Sequence, residues 1–325
     1  MAVREMPILT RKGLRRRISQ NRIAYAFLAP AVTLMIIIHL IPTAQALYMS
    51  LLNLRQENLR QYLGAPFVGL RHYQNILGGV ITGGGSATVQ GLTQALTNTF
   101  IFAFAVNALI LGLGMVLALL LNRKFWGRGL ARTLVLLPWI VPTFVAGLIF
   151  RYMFLQQGGL VNRILLDWLG IIDTPITWLV GPNARWALII AAVWRGVPLM
   201  SLMLLAGLQV IPGDLYEAAS IDGASAWQRF RYITLPMLKP IIAIQVMFGM
   251  VFNFFGFGPY NIAVAMFGGL NLGTYADLLI PTIARQTFTN QLYSYGAAAS
   301  VLMMVVAMGF VVTWYRVFRE ALTAQ

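Results

Sequence analysis

In 325 residues the chain has no cysteine, two histidines, three lysines and nine carboxylates. Without cysteine there is no disulfide, no thiolate metal site and no cysteine nucleophile. His39 and His72 stand apart, so no imidazole cluster exists. His39 falls within an apolar run, where a hydrogen bond inside a bundle would satisfy it. Lys12, Lys124 and Lys239 never follow a glycine. The phosphate-binding pattern G-x-x-x-x-G-K-[ST] is therefore absent, and any ATP-driven step needs another subunit. Charge as a whole is scarce at 10% of residues, against about 25% in soluble domains. A water-soluble enzyme is excluded on that ground.

Apolar sequence takes the place of charge. Hydrophobic residues make up 59% and mean hydropathy is +0.74, the composition of a chain whose surface meets lipid. The formal charge of +15 raises nucleic acid as a partner, but its placement argues against that. Seven basic residues precede Ile23 and four more cluster at Arg123, Lys124, Arg128 and Arg132. Both groups flank apolar runs, as cytoplasmic flanks do.

Six apolar runs of spanning length, almost free of charge, occur at about 24–50, 96–121, 130–150, 186–208, 240–262 and 296–315. The sequence thus predicts an all-α membrane protein with six transmembrane helices. The first run is too long for the 7–15-residue core of a signal peptide, and reads as a retained span. With both termini in the cytoplasm, the inner segments hold 16 basic residues and the outer loops 7, which sets the orientation. The expected organisation is a basic cytoplasmic segment over 1–23, a membrane domain over 24–320, and a cytoplasmic loop over 212–240. All nine acidic residues fall outside the six runs. That argues against carboxylate proton relays, while sodium held by backbone carbonyls stays open.

The outer loops differ among themselves. "GGVITGGGSA" reads as a flexible glycine-rich piece. Leu160, Ile164, Leu165, Trp168 and Leu169 share a helical face, either at the membrane interface or packed on the bundle's mouth.

The fourth and fifth runs are separated by a polar insert, "EAASIDGASAWQRFRYITLPMLKP". Asp214 three residues before Glu217 has the spacing of a capping box, with Gly223 as the stop of that helix. Ser225 and Gln228 repeat the device for a second helix, expected to end before Pro236, with Pro240 opening the fifth span. Trp227, Phe230 and Ile233 share one face. Small residues on show would permit close approach by a partner protein; resting on lipid headgroups is the other reading.

This insert resembles the EAA loop of permease subunits in bacterial and archaeal ABC importers. Glu217, Ala218, Ala219, Asp222, Gly223, Ala224, Phe230, Ile233, Leu235, Pro236 and Pro240 match that pattern. "WRGVPLMSLMLLAGLQVIPGDLYEAA", "AFLAPAVTLMIIIHLIPTAQALYMSL", "FVGLRHYQNIL" and "VLLPWIVPTFVAGLIFRYMF" are similar to the maltose-type sugar permeases of the same family. One departure is "MFGGLNLGTYADLL", which keeps Gly268 and Gly269 of a family Gly-Gly-Pro but lacks its Thr and Pro. The resemblance implies a permease without a cofactor of its own, importing a sugar by alternating access. It also implies a second permease subunit, two ATPase subunits that hold ATP and magnesium, and an external substrate-binding protein. On that reading Glu217, Ala218, Ala219, Asp222, Gly223, Ala224, Phe230, Leu235 and Pro236 dock an ATPase. A stand-alone secondary carrier or channel is the alternative.

Two features suggest a solute pathway. Arg195 is the one charge well inside a span, facing either a bundle carbonyl or the route itself. Asn253, Phe257, Tyr260 and Asn261 are spaced to share much of one side of the fifth span, offering aromatic faces and amides to a sugar. Packing is the competing role for such an aromatic stripe.

Overall fold

The computed structural model describes residues 22–323, nearly all helical. The basic segment 1–23 lies outside the described residues except Arg22 and Ile23, which already belong to the first helix. Extended pairing among the described residues is confined to an isolated bridge between Leu52 and Phe67.

Five helices are long and apolar enough to cross a bilayer. They are α1 (Arg22–Met49), α3 (Ala87–Asn122), α6 (Asn183–Val210), α8 (Ala226–Phe255) and the Tyr293–Arg319 part of α11 (Tyr293–Thr323). A sixth span is reached by the pair α4 (Arg128–Ile140) and α5 (Thr143–Met153), which bends by 89° between its halves. The third run is therefore a bent pair rather than one continuous helix. Pro142 explains the break: it disfavours helix at the residue before it, and Val141 and Pro142 take ψ values of 126° and 139°.

Proline does not always break a span here. Pro42 in α1 and Pro236 in α8 are each preceded by a five-residue π-turn, Ile36–Leu40 and Phe230–Thr234. In each case the residue just before proline, Ile41 or Leu235, donates to a carbonyl five residues back. The wider turn takes up the register that the missing proline N–H would disrupt, so the helix continues. This corrects one expectation: the second helix of the polar insert does not end before Pro236. It runs on through Pro236 and Pro240 as the first part of α8. The fifth span ends earlier than expected, at Phe255, where Gly256 takes extended backbone, and α9 (Phe257–Phe267) follows.

The bundle is built around α3 and α6. Phe102 and Val106 of α3 meet Ala187, Leu188 and Ala191 of α6 in the largest buried cluster. Small residues allow the close approach, as usual where lipid offers no hydrophobic drive between helices. A Cβ on Gly114 would lie 2.7 Å from Met200 Cγ. Gly147 does the same for α5 against α9, where a Cβ would come 2.7 Å from that of Ala265.

The glycine-rich piece is more ordered than its composition suggests. Its first half belongs to α2 (Arg71–Thr82), which ends on Gly83 with φ +68°. The apolar face at 160–169 forms a short helix, Leu160–Arg163, continued by a π-turn, Ile164–Trp168. Trp168 and Leu169 remain exposed.

Candidate functional site

The polar insert forms an elbow of two helices, α7 (Gly213–Ile221) and the start of α8. Asp214 lies in the first turn of α7 but makes no capping bond; Pro212 occupies the N-cap. A proline-fixed entry thus takes the place of the expected box. At the other end the stop is as read. Gly223, with φ +80°, donates to Ser220 O at 3.1 Å and Ala224 to Ala219 O at 2.8 Å, the paired bonds of a Schellman motif. The second box is present: Ser225 Oγ accepts from Gln228 N at 3.3 Å, and Gln228 Oε1 accepts from Ser225 N at 2.7 Å.

The elbow is pinned by side chains. Tyr216 and Thr234 share a hydroxyl hydrogen bond of 2.9 Å, and Arg229 Nη1 donates to Ser220 Oγ. Phe230 stacks near Trp227, with ring centroids 5.6 Å apart. Together with Tyr216 and Ile233, Phe230 packs on the core formed by Leu204, Leu208 and Leu238. Glu217, Ala218, Asp222, Gly223 and Pro236 are exposed, while Ala219, Ala224, Phe230 and Leu235 are half-buried. Ile221 (87% exposed) and Trp227 (69%) stand out as apolar groups in the open. A stiff elbow with an apolar tip is chemically suited to seating in another protein's cleft.

Midway along the spans lies a cavity of ≈470 Å³, within the usual range for small-molecule sites. Of the expected pathway residues, Arg195 and Asn253 line it. Arg195 Nε donates to Val141 O at 3.3 Å, a carbonyl freed by the break between α4 and α5. The two readings of Arg195 coincide: it bonds a bundle carbonyl and faces the cavity.

Phe257, Tyr260 and Asn261 do not join Asn253 on one face, because the helix breaks at Gly256. Phe257 is 71% exposed and meets Tyr260 edge to face at 6.0 Å. Asn261 Nδ2 donates to Thr143 Oγ1 at 3.4 Å, tying α9 to α5. None of the three lines the cavity.

Their place is taken by Asn107, Trp139, Gln245, Phe248 and Phe252, which sequence reasoning missed. Asn107 and Gln245 carried a usable signal, each being a lone polar residue in an apolar run. Asn107 is held by bonds from Nδ2 to Ala103 O at 2.7 Å and to Met250 Sδ at 3.3 Å. Its Oδ1 lies so near Gly249 that a side chain there would collide with it. Amides, a guanidinium and aromatic faces around one void can bind a polyhydroxylated solute. Among the described residues no group of three or more His, Asp or Glu could hold a metal.

Residues 110–323 match the family model described as the binding-protein-dependent transport system inner membrane component. The chain belongs to this family. Over 314 residues it is 34% identical to the trehalose/maltose transport system permease protein MalF of Thermococcus litoralis, covering 92% of this chain and 95% of that one. It is 36% identical over 264 residues to the trehalose transport system permease protein SugA of Mycobacterium tuberculosis, covering 81% and 78%. Among solved structures it resembles a bacterial ABC transporter involved in importing the acidic polysaccharide alginate. That match has TM-score 0.77 and 22% identity over 94% of this chain and 98% of the other. A bacterial alginate ABC transporter in complex with an alginate pentasaccharide-bound periplasmic protein gives TM-score 0.76 at 22% identity, over 95% and 98%. At that identity the likeness is one of fold.

In this permease the segment after α9 folds against α3 and α6. Asn98 Nδ2 donates to Thr274 O at 2.7 Å and Asp277 O at 3.0 Å, and Asn98 Oδ1 accepts from Arg185 Nη2 at 2.7 Å. Asp277 pairs with Arg285, which also donates to Leu270 O at 2.7 Å. Burial pushes the Asp277 carboxyl above its ordinary value, outweighing the pull of Arg285 in the other direction.

Proposed function

We propose that the chain is one of two permease subunits of a binding-protein-dependent ABC importer for a sugar or oligosaccharide. Its partners are a second permease, two ATPase subunits carrying ATP and magnesium, and an extracytoplasmic substrate-binding protein. The named relatives transport trehalose and maltose, and one structural neighbour was solved with a periplasmic protein bound. Both support the reading. The basic residues favour a cytoplasmic N-terminus, C-terminus and elbow in a bacterial or archaeal cytoplasmic membrane.

The observation that carries the reading is the pinned elbow. Its exposed Glu217, Ala218, Asp222 and Gly223 are offered on a frame of hydrogen bonds. It continues without interruption into α8, whose far half lines the cavity through Asn253. A push on the elbow therefore reaches the solute site through one helix. ATP-driven closure of the ATPase pair would move the elbow and turn the cavity from inward- to outward-facing. Coupling of that kind requires ATP and the loaded binding protein each to prefer the outward state.

Gentle purification of the tagged chain from its native membrane tests this. Recovery of an ATPase and a second permease, with ATP turnover raised by loaded binding protein, is expected. Transport by the chain alone, with no ATPase attached, would establish the stand-alone carrier instead.

A further inference from the structure

A second groove, ≈440 Å³, runs between the start of α8 and the end of α11. Its rim carries Arg231 and Lys239, and its walls include Ile242, Val246, Trp314 and Phe318. The aromatic wall is fixed: Trp314 Nε1 donates to Ala243 O at 3.0 Å, and its ring stacks on Phe318 at 4.3 Å. Arg231 and Lys239 are exposed, and among the described residues no acidic side chain lines the groove. The ion pair formed among the described residues, Arg285–Asp277, involves neither.

Depth in the membrane follows from the helices themselves. Lys239 is the last charge before the apolar run of α8, and Trp314 and Phe318 stand where α11 leaves its apolar stretch. The groove thus straddles the boundary between headgroups and acyl chains. Basic rim, interfacial tryptophan and apolar floor occur in the order in which a phospholipid presents phosphate, glycerol and hydrocarbon.

We propose that this groove is a binding site for an anionic glycerophospholipid. Its phosphate sits between Arg231 and Lys239, and one acyl chain lies along Ile242 and Val246. Leu235 and Pro236 also border the groove, so the bound lipid adjoins the base of the elbow.

Native mass spectrometry of the purified full chain, with any partners it retains, tests the site without requiring transport or ATPase activity. The probes are dioleoylphosphatidylglycerol, dioleoylphosphatidylcholine and inorganic phosphate. Phosphatidylglycerol should bind at least about tenfold more tightly than phosphatidylcholine, as two basic groups at a membrane surface allow. The Arg231→Gln/Lys239→Gln double variant should lose that preference. Arg123→Gln/Lys124→Gln, with the same change in net charge but away from the groove, should keep it. Arg231→Lys/Lys239→Arg should keep it too, which separates lost charge from lost folding. Equal loss in both glutamine pairs would overturn the site in favour of general surface attraction. Displacement of phosphatidylglycerol by millimolar inorganic phosphate would overturn the lipid assignment in favour of a soluble anion.

Discussion

The elbow and the cavity sit on the same helix, α8, yet they are built in opposite ways. The elbow is local: the hydrogen bonds that shape it join residues between 212 and 240, and Glu217, Ala218, Asp222 and Gly223 face outward. The cavity is distributed, drawing on α3, α4, α6, α8 and α9. Two of its polar groups, Asn107 and Arg195, are held by carbonyls and a thioether. A local device withstands rearrangement of the bundle and suits a fixed coupling point. A cavity shared among five helices changes shape whenever they shift, as the proposed alternating access requires.

Separate effects from the two regions would sharpen this contrast, and merged effects would break it. The largest effect is expected at the elbow's tip. Glu217→Lys should weaken ATPase binding by at least 2 kcal/mol, roughly 30-fold, as interface hot spots do, with membrane insertion unchanged. Gly223→Asp should act similarly, because φ +80° is costly for a residue with a side chain. Normal ATPase recovery with either variant would show that the elbow is not the docking point.

In the cavity, Asn253→Ala should weaken solute transport about tenfold, near the loss of one or two hydrogen bonds, while ATPase recovery stays normal. Loss of both together would mean the regions are not separable. A smaller effect is expected at Ser225→Ala, which removes a cap worth about 1 kcal/mol. It should lower the coupling of ATP turnover to transport without abolishing assembly, measurable as the ratio of the two rates.

The smallest effect lies at Asp277, in the segment after α9. The folded-state pKa of Asp277 is raised above its unfolded value. Its contribution to stability is therefore complete below the ordinary carboxylate pKa and is lost as pH rises through the raised one. Thermal melting of the wild type should show that component as pH rises above the ordinary carboxylate pKa, and Asp277→Asn should remove it. An unchanged pH profile in the variant would place the titration elsewhere.

The same contrast governs what the sequence revealed. The elbow was legible because its motif is contiguous, and both Gly223 and the Ser225–Gln228 box stand where spacing put them. Its one large misreading, an end before Pro236, arose because a π-turn absorbs a proline through backbone register that no residue type announces. Arg195 and Asn253 were legible as polar groups in apolar runs, and Asn107 and Gln245 could have been found in that way. Phe257, Tyr260 and Asn261 do not share the face of Asn253, because Gly256 ends the helix rather than loosening it. Trp139 had no local signal at all. It reaches the cavity through the break at Val141 and Pro142, and that bend is settled by packing between distant segments.

The absence of cysteine makes the central claim directly measurable. A single Ala218→Cys should crosslink to a cysteine scanned across the surface of a copurified ATPase subunit, and the yield should change when ATP is added. Arg123→Cys, on another loop, should crosslink weakly or not at all. A crosslink at 123 with none at 218 would contradict the account, since the chain would then meet its motor somewhere other than the elbow.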